Sequence, residues 1–180
     1  MPLTAIHLRD GLFEQVRGHL LPHGGECEEA AFLFARAETR LDTIILSVSD
    51  SMMIPPEGFA SRSRYYLELT DETRAAVIKR AHDLGTGLIE CHSHPSQRGA
   101  CFSWSDLHGF DDFVPHVRWR LGGRPYAAVV FATDSIDALA WAGAAGEASP
   151  VSIVNAGKGL IHPTGATYQN WNAIYEGQPL

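Results

Sequence analysis

An α/β fold with a mixed β-sheet sandwiched by helices is what this chain predicts, and three observations lead there. Runs of branched and apolar residues alternate along the sequence with segments of helical period. The helix expected from Thr70 to Leu84 lies between two strands, as a crossover connection does. Finally, 180 residues with 45% hydrophobic and 19% charged side chains suit one domain with a proper core.

The elements follow in order. TAIHL reads as a short strand, and DGLFEQVRGHLLP as a helix with Leu12, Phe13, Val16 and Leu20 on one side, stopped by Pro22, Gly24 and Gly25. EEAAFLFARAE is ambiguous by period but leads into TIILSVS, whose branched residues mark a strand. The two are expected to pair as a hairpin or meander joined near Thr39 to Asp42. Asp50 to Ser63 is expected as a loop, with Met52 and Met53 tucked against the core or free to touch a partner. RYYLEL then reads as a strand in which Tyr65, Leu67 and Leu69 alternate with Arg64, Tyr66 and Glu68.

TDETRAAVIKRAHDLG carries a capping threonine, acids in its first turn, Val77, Ile78, Ala81 and Leu84 on one face, and Gly85 as a stop. TGLIECHSH is an apolar strand that Pro95 ends. SWSDLHGFDDFV starts the next helix, RPYAAVVFATD is a buried strand, and SIDALAWAG pairs with it across a turn at Asp134 and Ser135. VSIVNA adds an edge strand. Residues 1–156 are thus expected as a single domain, and 157–180, glycine- and proline-rich with isolated aromatics, as a tail packed on it or partly mobile.

A net charge of -7 offers no basic face for a phosphate backbone, so nucleic acid is not an expected partner. The cysteines Cys27, Cys91 and Cys101 are odd in number, and MPLTAIHLRD lacks the basic-then-apolar run of a signal peptide. A reducing cytoplasm is therefore expected. No window approaches the roughly 20 apolar residues of a membrane helix, so no membrane association is expected.

The chemistry gathers in ECHSHPSQRGACFSWSD, Glu90 to Asp106. Residues two apart on a strand share a face, so His92 and His94 present both imidazoles together, and Asp106 can return an oxygen from the first turn of the following helix. Two nitrogens, one oxygen and an open position make a catalytic zinc set. Taken alone, S-x-x-D is close to a capping box and would start a helix with no chemistry. Cys91 points to the opposite strand face, which removes it as a nucleophile served by His92, and no G-x-S-x-G elbow surrounds Ser93, Ser103 or Ser105. Peptide cleavage further needs a carboxylate to carry a proton. Glu26, Glu28 and Glu29, just before AAFLFA, are its obvious source, or else a solvated acidic loop. Glu90 shares the orientation of the histidines and is either a partner behind them or a charged strand end.

HSHP followed by S-W-S-D resembles the JAMM motif of the MPN-plus zinc peptidases, HxHP then SxxD, and EEAAFLFA is similar to their upstream glutamate element. The resemblance implies a cytidine-deaminase-like MPN catalytic domain. It makes His92, His94 and Asp106 ligands of one catalytic Zn2+, Glu29 the general acid and base with Glu28 its rival, and Ser103 the oxyanion-stabilising hydroxyl. Seven residues, Ser96 to Phe102, separate Pro95 from Ser103, one more than the usual spacer, which makes Ser105 a competitor. The implied activity is cleavage after the C-terminus of a ubiquitin-like protein, in deconjugation or precursor maturation, by zinc-activated water. The implied partners are that protein, its conjugates and cognate E1/E2-like enzymes, in bacteria often within antiphage operons. A zinc hydrolase of a small molecule or sulfur-carrier adduct, and a non-catalytic MPN scaffold, are the alternatives.

Overall fold

In the computed structural model, which describes residues 3–143 and 146–176, the two-residue period of the strands sorts apolar side chains onto the two faces of one mixed sheet. Among the described residues, β1 (Leu3–His7), β2 (Ala30–Arg40), β3 (Thr43–Met53), β6 (Gly87–Ser93), β7 (Tyr126–Phe131), β8 (Ile136–Trp141), β9 (Ser149–Pro150), β10 (Ile153–Asn155) and β11 (Leu160–Ile161) lie in the order β11-β10-β1-β3-β2-β6-β7-β8-β9. The short strands β4 (Phe59–Arg62) and β5 (Leu67–Leu69) form a separate hairpin. β1 runs parallel to β3 and β10, and β6 parallel to β7, while β2 joins β3 and β6 antiparallel.

Alternation decides which helix each face receives. Ala31, Leu33, Cys91, Ala127 and Val129 turn towards α1 (Leu12–Leu20), burying Leu12, Val16 and Leu20. Ala30, Phe32, Phe34, Leu88 and Tyr126 turn the other way. There they pack on Val77 and Ala81 of α2 (Asp71–Leu84) and on Leu107, Phe110, Val114 and Val117 of α3 (Trp104–Arg120). The expected mixed α/β architecture is present, with helices on both faces of the sheet. α2 starts where expected, the Thr70 hydroxyl accepting from the Thr73 N–H at 3.1 Å, and ends at Gly85 in the left-handed region (φ 65°).

Two segments differ from the sequence reading. β3 runs on through Met53, so Asp50 to Met53 are strand rather than loop; a bulge at Ser49 of β3, opposite the step from Phe34 to Ala35 of β2, shifts the register of the longer pair. Met52 packs on the α2 side of the sheet and Met53 on the α1 side. Arg64 to Tyr66 are not strand: the Ser63 N–H donates to the Tyr66 carbonyl at 2.7 Å, closing a turn that leaves Tyr65 and Tyr66 exposed and strand pairing only at Leu67–Leu69. α3 continues past Pro115 to Arg120, because the proline sits on the solvent side while Val114 and Val117 stay buried.

Beyond residue 156 the chain adds β11, α4 (Ala166–Gln169) and α5 (Trp171–Tyr175), and Ile174 enters the core beside α3. The expected tail's residues 177–180 lie outside the described residues. Asp137, only 1% exposed, anchors this segment, its carboxylate accepting from the N–H groups of Ala138 (3.0 Å), Gly165 (2.9 Å) and Thr167 (2.9 Å). Among the described residues, no helix is long and apolar enough to cross a membrane.

β6 begins at Gly87, where an added Cβ would meet the Pro125 carbonyl oxygen at 2.4 Å. Gly87→Ala is therefore expected to force β6 and the start of β7 apart and to destabilise the protein by roughly 1–3 kcal/mol, read as a lower denaturant midpoint; an unchanged midpoint would contradict the close approach.

Candidate metal centre

The centre is assembled where β6 ends and α3 begins. β6 runs under α2 and α3, and its even-numbered residues face them, so Glu90 and His92 point into the space below those helices. His94 follows just beyond the strand end, where its N–H donates to the Phe131 carbonyl of β7 at 2.8 Å. The loop from Ser96 to Phe102 then carries the chain to the α3 N-terminus, and neighbouring segments hold it. The Gly99 and Ala100 N–H groups donate to Asp134 Oδ1 (2.9 Å) and Ser135 Oγ (2.8 Å). Thr164 Oγ1 donates to the Ala100 carbonyl at 2.7 Å, and the Phe102 N–H donates to the wholly buried Thr167 Oγ1 at 2.9 Å.

Ser103 is the N-cap of α3 and Asp106 its N3 residue, in a complete capping box. The Asp106 N–H donates to Ser103 Oγ at 3.2 Å, while the Ser103 N–H and hydroxyl both donate to Asp106 Oδ2 at 2.7 Å. That grip turns the carboxylate inward. His92 Nε2 lies 3.5 Å from Asp106 Oδ1 and His94 Nε2 lies 3.3 Å from Oδ2. The three expected ligands are thus brought together, with their donor atoms within 4.8 Å of one another.

The residues fit a metal ion on two counts. His92 Nε2 is buried and has no hydrogen-bond partner among the described residues, an orphan that a bound ion would satisfy. His94 Nδ1 is 2.6 Å from Gln97 Oε1, which can only accept and so takes a hydrogen from Nδ1, leaving Nε2 as the ring atom turned to Asp106. Gln97 is in turn oriented by its Nε2–H, which donates to Cys101 Sγ at 3.3 Å. Nothing in the spacing of the motif singled out Gln97. Cys91 lies on the α1 face, as strand parity requires, and burial, more than the adjacent Glu90 charge, pushes its thiol far up.

The glutamate element is where the structure corrects the sequence reading. Ala30 of β2 pairs with His92, and Glu28, two residues earlier, falls on the histidine side with its carboxylate 3.8 Å from His94 Nε2. Glu29 falls on the other side. Its carboxylate pairs with Arg62 of β4, its carbonyl accepts from the Ser93 N–H, and its own N–H donates to Ser93 Oγ at 3.0 Å. Glu28, not Glu29, is therefore the carboxylate at the centre. The Glu28 N–H donates to the Ser63 carbonyl at 2.7 Å, which ties this segment to the β4–β5 hairpin. Ser103 is engaged with Asp106, while Ser105 borders the open space above the site.

That space is a groove of about 940 Å³ between β5, α2 and α3; Leu67, Ile78 and Phe113 line it together with Glu28, His92 and Asp106. Charge is distributed to match. Burial would lower His92, but the neighbouring carboxylates, Asp106 first and then Glu90, raise it to about 10. Burial opposes ionisation of Asp106, yet His92 and His94 hold its carboxyl well below the ordinary range. Burial raises Glu28 from 4.5 to about 7 against the pull of both histidines. No protein-family model matches the chain, and no curated protein matches it.

In the metal-free protein these groups act on stability in different pH windows. The contribution of Asp106 is present above 3.8 and lost as pH falls, and that of His92 is lost as pH rises through about 10. Glu28 behaves in reverse: between 4.5 and about 7 the native state holds a proton the unfolded chain has released, so rising pH weakens the fold. Metal-free Glu28→Gln is therefore expected to melt higher than the metal-free wild type at pH 8, by on the order of 3 kcal/mol, and to lose that advantage at pH 4. Thermal melts at both values check it.

Proposed function

We propose that the chain is a zinc-dependent JAMM-type peptidase on a cytidine-deaminase-like MPN domain. It acts in the cytoplasm, cleaving isopeptide or peptide bonds after the C-terminus of a ubiquitin-like protein delivered by cognate E1/E2-like enzymes. One observation carries the reading: two imidazoles and a carboxylate converge within 4.8 Å, with a fourth group, Glu28, 3.8 Å from His94, and this set opens on a groove of about 940 Å³. The HSHP and S-W-S-D motifs supply both imidazoles and the carboxylate.

Zinc held by His92, His94 and Asp106 would supply an acidified water and a polarised scissile carbonyl. Glu28 carries the proton. Its carboxylate lies beside the imidazoles, 3.8 Å from His94 Nε2, where it takes a proton from the attacking water and passes it to the leaving amine. Ser103 holds Asp106 in its pose, and the same hydroxyl turns to the carbonyl oxygen as charge develops there. The apolar wall of Leu67, Ile78 and Phe113 excludes water from the substrate chain leading to the site.

Zinc analysis combined with a cleavage panel of ubiquitin-like fusions tests the reading. The wild type is expected to hold one zinc per chain and to cleave at least one fusion. Glu28→Gln should keep the zinc and lose activity by roughly 10²–10⁴-fold, Glu29→Gln should keep both, and Asp106→Ala should lose both. A zinc-loaded wild type that cleaves no fusion, or a fully active Glu28→Gln, would overturn it.

A further inference from the structure

β6 carries one more inward-facing ionisable residue, and it lies behind the centre. Glu90 is two residues before His92 on the same strand face, with its side chain 16% exposed, and its Oε1 is 3.6 Å from His92 Nδ1. Its other oxygen, Oε2, accepts from the Tyr126 hydroxyl at 2.5 Å. Tyr126 is the residue of β7 that pairs with Leu88, and it is wholly buried among Phe110, Phe113 and Trp141.

A phenol enclosed in this way needs an acceptor, and a carboxylate can only accept. Burial, ahead of the neighbouring Glu90 charge, holds Tyr126 well above its usual range, so it remains a donor. With Oε2 occupied, Glu90 has one oxygen left, and the nearest ring nitrogen to it is His92 Nδ1. An acceptor at Nδ1 favours the hydrogen there and frees Nε2, the orphaned atom that faces Asp106. His94 receives the same service from the neutral Gln97, so only one of the two imidazoles is backed by a charge.

We propose that Glu90 and Tyr126 are positioning residues that fix the orientation and raise the basicity of His92 as a metal ligand, with Tyr126 aiming the Glu90 carboxylate. The inference rests on the metal-site reading above. It assigns a use to a charge that a strand between two helices and a sheet would otherwise not hold. Glu90 is a property of this chain's own strand, outside the HxHP and SxxD elements.

The test is zinc affinity, by competition with a chromophoric chelator, and the visible absorption spectrum of the cobalt-substituted full chain. Wild type is compared with Glu90→Gln, Glu90→Asp and Tyr126→Phe. Glu90→Gln is expected to weaken zinc binding roughly 10- to 100-fold and to shift the cobalt bands. Glu90→Asp should recover part of the affinity, and Tyr126→Phe, which removes one hydroxyl from an otherwise intact core, should weaken binding by less than Glu90→Gln. If Glu90→Gln or Tyr126→Phe lowers only the melting temperature, with zinc affinity and cobalt spectrum unchanged, the pair is structural and the inference is wrong. A wild type that binds no zinc would overturn the metal-site reading itself, before any variant is compared.

Discussion

The antiparallel register between β2 and β6, with Ala30 opposite His92, is the constraint on which the site depends. Because side chains alternate with a period of two, a slip of one residue would turn Glu28 to the α1 face and bring Glu29 beside the histidines. Several contacts prevent the slip. Glu29 uses its backbone on Ser93 and its carboxylate on Arg62, and the Ser63 carbonyl holds the Glu28 N–H. The alternating apolar sets on both faces of β2 would also have to exchange helices, which a packed core resists. Glu29, held on Ser93 and Arg62, thus fixes the placement of Glu28 beside His94.

A second economy lies at the start of α3, where one carboxylate serves local structure and the metal centre together. Asp106 closes the capping box through Oδ2 and offers Oδ1 to His92 Nε2. The capping reading and the ligand reading of S-W-S-D are compatible, since an N3 acid reaching back to its cap also faces the end of the preceding strand. Behind the histidines the support is asymmetric: a neutral amide on His94 and a carboxylate on His92.

Much of this was legible in the chain. HSHP and S-W-S-D located the His92, His94 and Asp106 cluster because strand parity and helix capping are local rules, and the same parity placed Cys91 on the opposite face. The choice between Glu28 and Glu29 was not legible. AAFLFA is buried on both faces, so its apolar residues show no alternation from which parity could be read. Tyr126 and Thr167 reach the site only through tertiary contacts, and Gln97, although three residues from His94, belongs to neither motif. The turn at Ser63–Tyr66 hid behind two tyrosines of high strand propensity.

The clamp on the Ser96–Phe102 loop has a kinetic side. Phe102 hydrogen-bonds to a residue 65 positions further along the chain, and Asp137 must already be buried for that residue to be in place. The loop that joins the histidines to Asp106 is therefore held by a contact of long sequence separation, whose closure costs more chain entropy than a local one. During synthesis the two histidines emerge well before the segment that steadies the loop to Asp106. Assembly of the His92, His94 and Asp106 cluster is then coupled to the docking of α4, and an unfinished chain displays the two imidazoles without the carboxylate held against them.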